Sequence, residues 1–196
     1  GIPSQNFRSV LEEVRLHLRP WVPVISLTKG LELDTRLRMT QIIDELLPSH
    51  PTGVLTGPNL AREIMAGQAA AGVIAMEDEV ICRSLQSVFK SGLFRVYTNT
   101  DVIGCELGGV LKNIIAIAVG MGDGQGAGDN TRAALITRGL SEVTRLGVAM
   151  GGQPETLITG LSWTTSMTET APVGFGLAPG SPPNAAQLPT ATTAAA

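Results

Sequence analysis

The chain has 196 residues, 43% of them hydrophobic and 16% charged, and its formal net charge is −3. That length supports one sizeable core or two small domains, and the acidic balance leaves none of the clustered Lys/Arg surface that nucleic acid requires. Cys82 and Cys105 form no CxxC pair. They predict neither a metal site nor a disulfide framework, and they fit a reducing, cytoplasmic compartment.

Residues 4–19 place Phe7, Val10, Leu11, Val14 and Leu18 on one side of a helix that Pro20 stops. "WVPVISLT" (21–28) is a β-rich run closed by Lys29-Gly30. Helical spacing returns over 35–47 with Met39, Ile42, Ile43, Leu46 and Leu47, and Pro48 ends it. "GVLT" (53–56) predicts a short strand. "GPNLAREIMAG" (57–67) predicts a helix with Pro58 at its first position and Gly67 as its stop. "AGVIAM" (71–76) predicts a strand, 77–91 a helix with acids in its first turn, and "LFRVYTN" (93–99) the last strand.

After Asn99 no strand intervenes. Thr100 or Asp101 can cap a helix reaching about 120, and Asp129-Asn130-Thr131 can cap another over about 131–148. The chain therefore divides into an α/β part with a mainly parallel sheet (1–99), a helical part (100–160), and a tail (161–196) rich in Pro, Thr and Ala. The tail has no assignable period and is expected to be divergent and disordered. The most apolar stretch, 102–121, is interrupted by Glu106 and Lys112, so no membrane span is predicted, and no signal peptide is predicted either.

Three places carry groups that can do chemistry. The helix at 102–120 is apolar nearly all round and is expected to be buried centrally. On it Gly109, Lys112, Asn113 and Ala116 share a stripe joined by Glu106 and Gly120. A lysine there would be partly desolvated, which suits acid/base work; the alternative is a lysine that reaches solvent or pairs with Glu106. The "TGPN" turn (56–59) is either an anion-binding helix start or an ordinary turn. Lys29 follows a strand, where open α/β sheets bind ligands, or else is a surface lysine. The glycines at 120–128 predict a flexible connection or lid. They join two helices, so they do not make a dinucleotide fingerprint, which must follow a strand.

Four segments then look familiar: "SLTKGLE" (26–32), "LTGPNLAREI" (55–64), the run from "FRVYTNTDVIGCELGGVLKN" to "TRLGVAMGG" (94–152), and "PETLITGL" (154–161). Over about 1–161 they resemble the NAD(P)-dependent glycerol-3-phosphate dehydrogenases of bacterial type. The resemblance implies the later part of a Rossmann domain over 1–99, followed by the start of a helical, 6-phosphogluconate-dehydrogenase-like domain. It implies interconversion of dihydroxyacetone phosphate and sn-glycerol 3-phosphate with NAD or NADP, for glycerophospholipid synthesis, with no metal. Carried onto this sequence, Lys112 of "LKN" is the catalytic general acid and Asn113 a substrate contact. Lys29 of "KGLE" touches substrate and cofactor, Gly57 and Asn59 of "GPN" touch substrate, and Ala61 lies at the cofactor.

The family's first strand and its GxGxxG turn would precede Gly1. Its later Gly-Asp-Leu and Arg-Asn motifs are replaced here by "SWTTSMTE". The expectation is a partial chain of such a dehydrogenase, with homo-oligomerisation open. The alternative is an inactive fragment, or a non-catalytic partner of a full-length relative pairing through an exposed sheet edge.

Overall fold

The computed structural model describes residues 1–158; the tail assigned to 161–196 lies outside the described residues. Four strands form one sheet in the order β1 (Val24–Ser26), β2 (Thr52–Thr56), β3 (Ala70–Met76), β4 (Phe94–Asn99). The strand β1 runs parallel to β2 and β3 parallel to β4, but β2 and β3 are antiparallel, with Val54 opposite Ala75. The sheet is thus mainly parallel, as expected, with one antiparallel pairing of its three. The cause is the 57–69 connection. Its only helix, α3 (Ala61–Met65), has five residues, too few to carry the chain back across the sheet as a parallel crossover does.

The other helices are α1 (Phe7–Val14), α2 (Met39–Leu46), α4 (Glu79–Phe89), α5 (Val102–Gly124), α6 (Asp129–Ala149) and α7 (Pro154–Ile158). Helix α1 ends earlier than its apolar period, and Leu18 reaches the core from beyond the helix, joining Phe7, Leu11, Met39, Ile42 and Ile43. Pro58 is not the first residue of a helix. Leu60 precedes α3, and Gly57, at φ 133°, breaks the chain direction before Pro58. Asp78 caps α4 by accepting from the N–H groups of Val80 and Ile81.

Strand alternation sorts the core onto two faces. Val54, Val73 and Ala75 meet Val102 and Cys105 of α5, while Leu55, Ile74 and Met76 meet Cys82 of α4. Leu107 and Leu111 of α5 then close against Leu157 of α7. Neither cysteine forms a disulfide, and both are buried.

Helix α5 departs from expectation twice. It is buried only in its first half, from Val102 to Leu111; Ile114 and Ile117 are 60% and 63% exposed. It also runs on through Gly120, Gly122 and Gly124, so the glycine-rich loop shrinks to 125–128. Gly122 earns its helical place by packing, since a Cβ there would lie 3.1 Å from Leu135 Cδ1 of α6. The mean hydropathy of α5 reaches 1.8, high enough for a membrane span by composition. Its first half instead packs on β2, β3 and α7, which makes it a core helix.

Asp101 caps α5 through Oδ1, which accepts from Gly104 N at 2.8 Å, and Oδ2 accepts from Gln153 N at 2.9 Å. Glu106 fixes the helix from the other side. Its side chain is 1% exposed and accepts from Arg38 Nη1 at 2.9 Å, Thr40 N at 3.1 Å and Thr40 Oγ1 at 2.6 Å. It therefore serves α2, not Lys112.

Removing one partner of a buried ion pair strands the other. Glu106→Gln leaves Arg38 unpaired and turns an amide toward Thr40 N–H. We expect a loss of about 3 kcal/mol, read as a lower urea midpoint with unchanged slope. An unchanged midpoint would show that the cluster does not hold α5 to α2.

Candidate functional site

Parallel pairing of β1 and β2 brings their carboxyl ends together, and the predicted residues 29, 57 and 59 leave from there. Lys29 Nζ donates to the Gly57 carbonyl at 3.3 Å, and Asn59 N donates to the same oxygen at 3.0 Å. Gly57 is required: its φ is 133°, and a Cβ would lie 2.9 Å from the Ala71 carbonyl oxygen. Burial lowers the Lys29 ammonium below the ordinary lysine range, and the positive charge of Lys112 lowers it further. Lys29 is exposed as a whole residue, so the burial acts on its ammonium end at the Gly57 carbonyl. The charge of Lys112, from α5, thus reaches Lys29 at the strand ends.

The loop that carries Lys29 is tied down by Arg8. Its guanidinium donates to both oxygens of Glu32, at 2.8 and 3.0 Å, and to both of Glu45, at 3.0 and 3.1 Å. Thr35 Oγ1 also donates to Glu32. Those bonds from Arg8 and Thr35 hold the Glu32 carboxyl down to about 2. The glutamate of "KGLE" thus anchors the loop to α1 and α2.

From the other side comes α5. Val54 and Thr56 are two residues apart on β2 and face α5 together. Gly109 sits under Thr56, and a Cβ there would collide with the threonine hydroxyl. Between β2, α5, α6 and α7 lies a pocket of about 50 Å³, lined by Thr56, Gly104, Gly108, Gly109, Lys112, Leu140 and Leu157 among others. Lys112 is exposed at its edge. The Thr56 hydroxyl is buried and has no hydrogen-bond partner.

Lys29, Gly57 and Asn59 are thus brought together, with Lys112 close enough for its charge to reach Lys29. Asn113 and Ala61 are exposed and do not line the pocket. A wider cavity of about 390 Å³, beside Arg38, Thr40, His50 and Asp78, contains none of the predicted site residues. Sequence reasoning missed Thr56, and the signal for it was present: period-two spacing from Val54 at the end of a strand. It also missed Arg8 with Glu32, whose pairing spans 24 positions and leaves no local pattern. Among the described residues no group of His, Cys, Asp and Glu could hold a metal ion.

Comparison with known proteins is decisive at this point. Residues 1–82 match the family described as NAD-dependent glycerol-3-phosphate dehydrogenase N-terminus, and residues 101–174 the one described as NAD-dependent glycerol-3-phosphate dehydrogenase C-terminus. The chain belongs to the NAD(P)-dependent glycerol-3-phosphate dehydrogenase family. A glycerol-3-phosphate dehydrogenase [NAD(P)+] of Sphingopyxis alaskensis is 67% identical over 189 residues, which are 93% of this chain and 57% of that one. One from Mycobacterium avium is 57% identical over 80% of this chain and 46% of its own length. The crystal structure of the Coxiella burnetii glycerol-3-phosphate dehydrogenase superposes with a TM-score of 0.76 at 40% identity, covering 82% of this chain and 49% of that one. The chain spans about half the length of the relatives it matches. The Rossmann-like α/β part followed by long helices is the architecture of this family.

The anchor of the Lys29 loop can be tested by pH. A carboxyl lowered from 4.5 to about 2 stabilises the fold above pH 4.5 and loses that contribution as pH falls toward 2. Glu32→Gln should therefore be less stable than the parent at neutral pH and should lose less stability across that window. Urea midpoints measured at several pH values check this; parallel curves for the two proteins would refute the pairing.

Proposed function

We propose that this chain carries the substrate-holding half and the general acid of a dehydrogenase that interconverts dihydroxyacetone phosphate and sn-glycerol 3-phosphate, for glycerophospholipid synthesis in the cytoplasm. The observation that carries the reading is Lys112 on the pocket that Thr56 also lines, with its charge reaching Lys29 at the adjoining Gly57 carbonyl, in a chain of this family. NAD(P)H, when bound, supplies the hydride to the ketone carbon. The Lys112 ammonium stands at the oxygen where charge develops and gives it a proton, so that a carbonyl becomes a carbinol. Apolar walls strengthen that interaction by excluding water. Lys29, with Gly57 and Asn59, holds the anionic end, and Asn113 extends the contact along α5. Lys29 and Ala61 are this chain's contributions to the cofactor. The chemistry of that end fits an anion: a desolvated ammonium at the carboxyl ends of adjacent parallel strands.

A second reading makes the chain a non-catalytic partner of a full-length relative. The exposed apolar residues Ile114, Ile117 and Met121 on the outer half of α5 favour it. Co-purification with such a relative from source cells would support it.

The test of the first reading is titration of the purified chain with glycerol 3-phosphate by calorimetry. Lys112→Ala should weaken binding at least about tenfold without changing the circular dichroism spectrum, since a charge-assisted hydrogen bond is lost. Lys112→Arg, which keeps the charge, should restore binding. Unchanged affinity in Lys112→Ala would overturn the assignment.

A further inference from the structure

The hydroxyl of Thr56 stands apart from the other buried polar groups. Thr56 is 3% exposed, yet its Oγ1 has no partner. Leaving such a group unsatisfied is costly, and native structures seldom do so without a reason. Ser26, Thr28, Thr40 and Glu106, also buried, all have partners. Nothing in the packing forces the exception, because a valine would fill the same space with no polar atom.

Three features give the hydroxyl a direction. It projects from the last residue of β2 toward α5, on the same face as Val54. Gly109 lies beneath it, so the helix leaves it room that an alanine would take away. It lines the same pocket as Lys112. That pocket, about 50 Å³, holds more than the 10–15 Å³ or so that one water occupies. Its walls are otherwise glycine, leucine and other weakly polar groups, and among the described residues Lys112 is the only charged side chain on it. A dianionic phosphate needs several donors, so such a place suits an uncharged carbon–oxygen group instead.

We propose that Thr56 is a substrate-contacting residue whose hydroxyl pairs with the carbinol or carbonyl end of a three-carbon phosphate, opposite the end that Lys29 holds. The inference rests on the substrate reading given above. Lys112 and Thr56 would then approach the reacting end from two elements, one as a cation and one as a neutral donor or acceptor. A site built this way rejects analogues that lack the oxygen, because the buried hydroxyl returns to its unpaired state.

The experiment uses the whole chain, its Thr56→Val and Thr56→Ser variants, and two probes: glycerol 3-phosphate, and propyl phosphate, which lacks the hydroxyls. Without ligand, Thr56→Val should melt about 2–4 °C above the parent, since an unpaired buried hydroxyl is removed. Its affinity for glycerol 3-phosphate should fall about tenfold while that for propyl phosphate is unchanged. Thr56→Ser should bind like the parent. A lower melting temperature for Thr56→Val would mean that the hydroxyl is already satisfied without ligand, and would overturn the inference. Unchanged glycerol 3-phosphate affinity, or equal weakening for both probes, would overturn it too. If the parent binds neither probe, the substrate reading fails and takes this inference with it. If the parent binds and Thr56→Val binds equally well, only the role of Thr56 is lost.

Discussion

The buried carboxylate of Glu106 is the constraint on which the geometry of this chain depends. A carboxylate with 1% of its side chain exposed is tolerable only when its oxygens are fully engaged. Here Arg38 and both donors of Thr40 engage them, and all three come from the start of α2. That requirement fixes where α5 lies along its axis and how it is rotated. Lys112 is six residues further on, about 9 Å along the helix and about 120° around it. The two side chains therefore cannot pair, and the lysine is delivered to the crevice at the strand ends while the glutamate stays in the core.

Small residues then set how closely the neighbours of α5 approach. A Cβ on Gly139 of α6 would lie 3.0 Å from Ile115 Cγ1, and one on Gly152 would lie 3.0 Å from Gly104 Cα. Gly147 similarly leaves space for Leu157 of α7. With Asp101 capping α5 and also holding Gln153 N, α5, α6 and α7 form one packed unit around the pocket. Gly109 does the same on the sheet side, where it admits the Thr56 hydroxyl. Gly109, Gly139 and Gly147, which lie within helices, each weaken them by roughly 1 kcal/mol relative to alanine. Close approach at these positions offsets that, and the same trade keeps Gly122 helical where the sequence pattern suggested a loop.

How much of this could be read beforehand follows from the range of each interaction. The strands at 53–56, 71–76 and 93–99, and the helices that begin near 77 and 102, are signalled by local period and capping, and they lie within a few residues of expectation. The antiparallel step between β2 and β3 is a matter of pairing, which no local pattern carries. The exposed outer half of α5 was read as buried because apolar composition does not say what lies against it. Lys112, Lys29 and the "GPN" turn were singled out because they stand in recognisable motifs. Arg8 and Glu106 act through partners distant in sequence. Glu106 was read onto the Lys112 stripe but turns to α2, and its partner Arg38, 68 positions away, leaves no local pattern.

The site in its ligand-free form is internally opposed, and that opposition is itself informative. Burial holds the Lys29 ammonium below its usual range, and the like charge of Lys112 lowers it further. Beside them a buried hydroxyl has no partner. Elsewhere among the described residues the polar chemistry is settled: Arg8 bridges two carboxylates, Arg38 and Thr40 complete Glu106, and Asp101 serves two N–H groups. Proteins break local rules mainly where a ligand will restore them. An anion would relieve the lysines, and an adjoining carbon–oxygen group would satisfy the threonine. Both deficits, beside the carboxyl ends of β1 and β2, are of the kind that one small molecule with a charged end and an oxygenated end removes together.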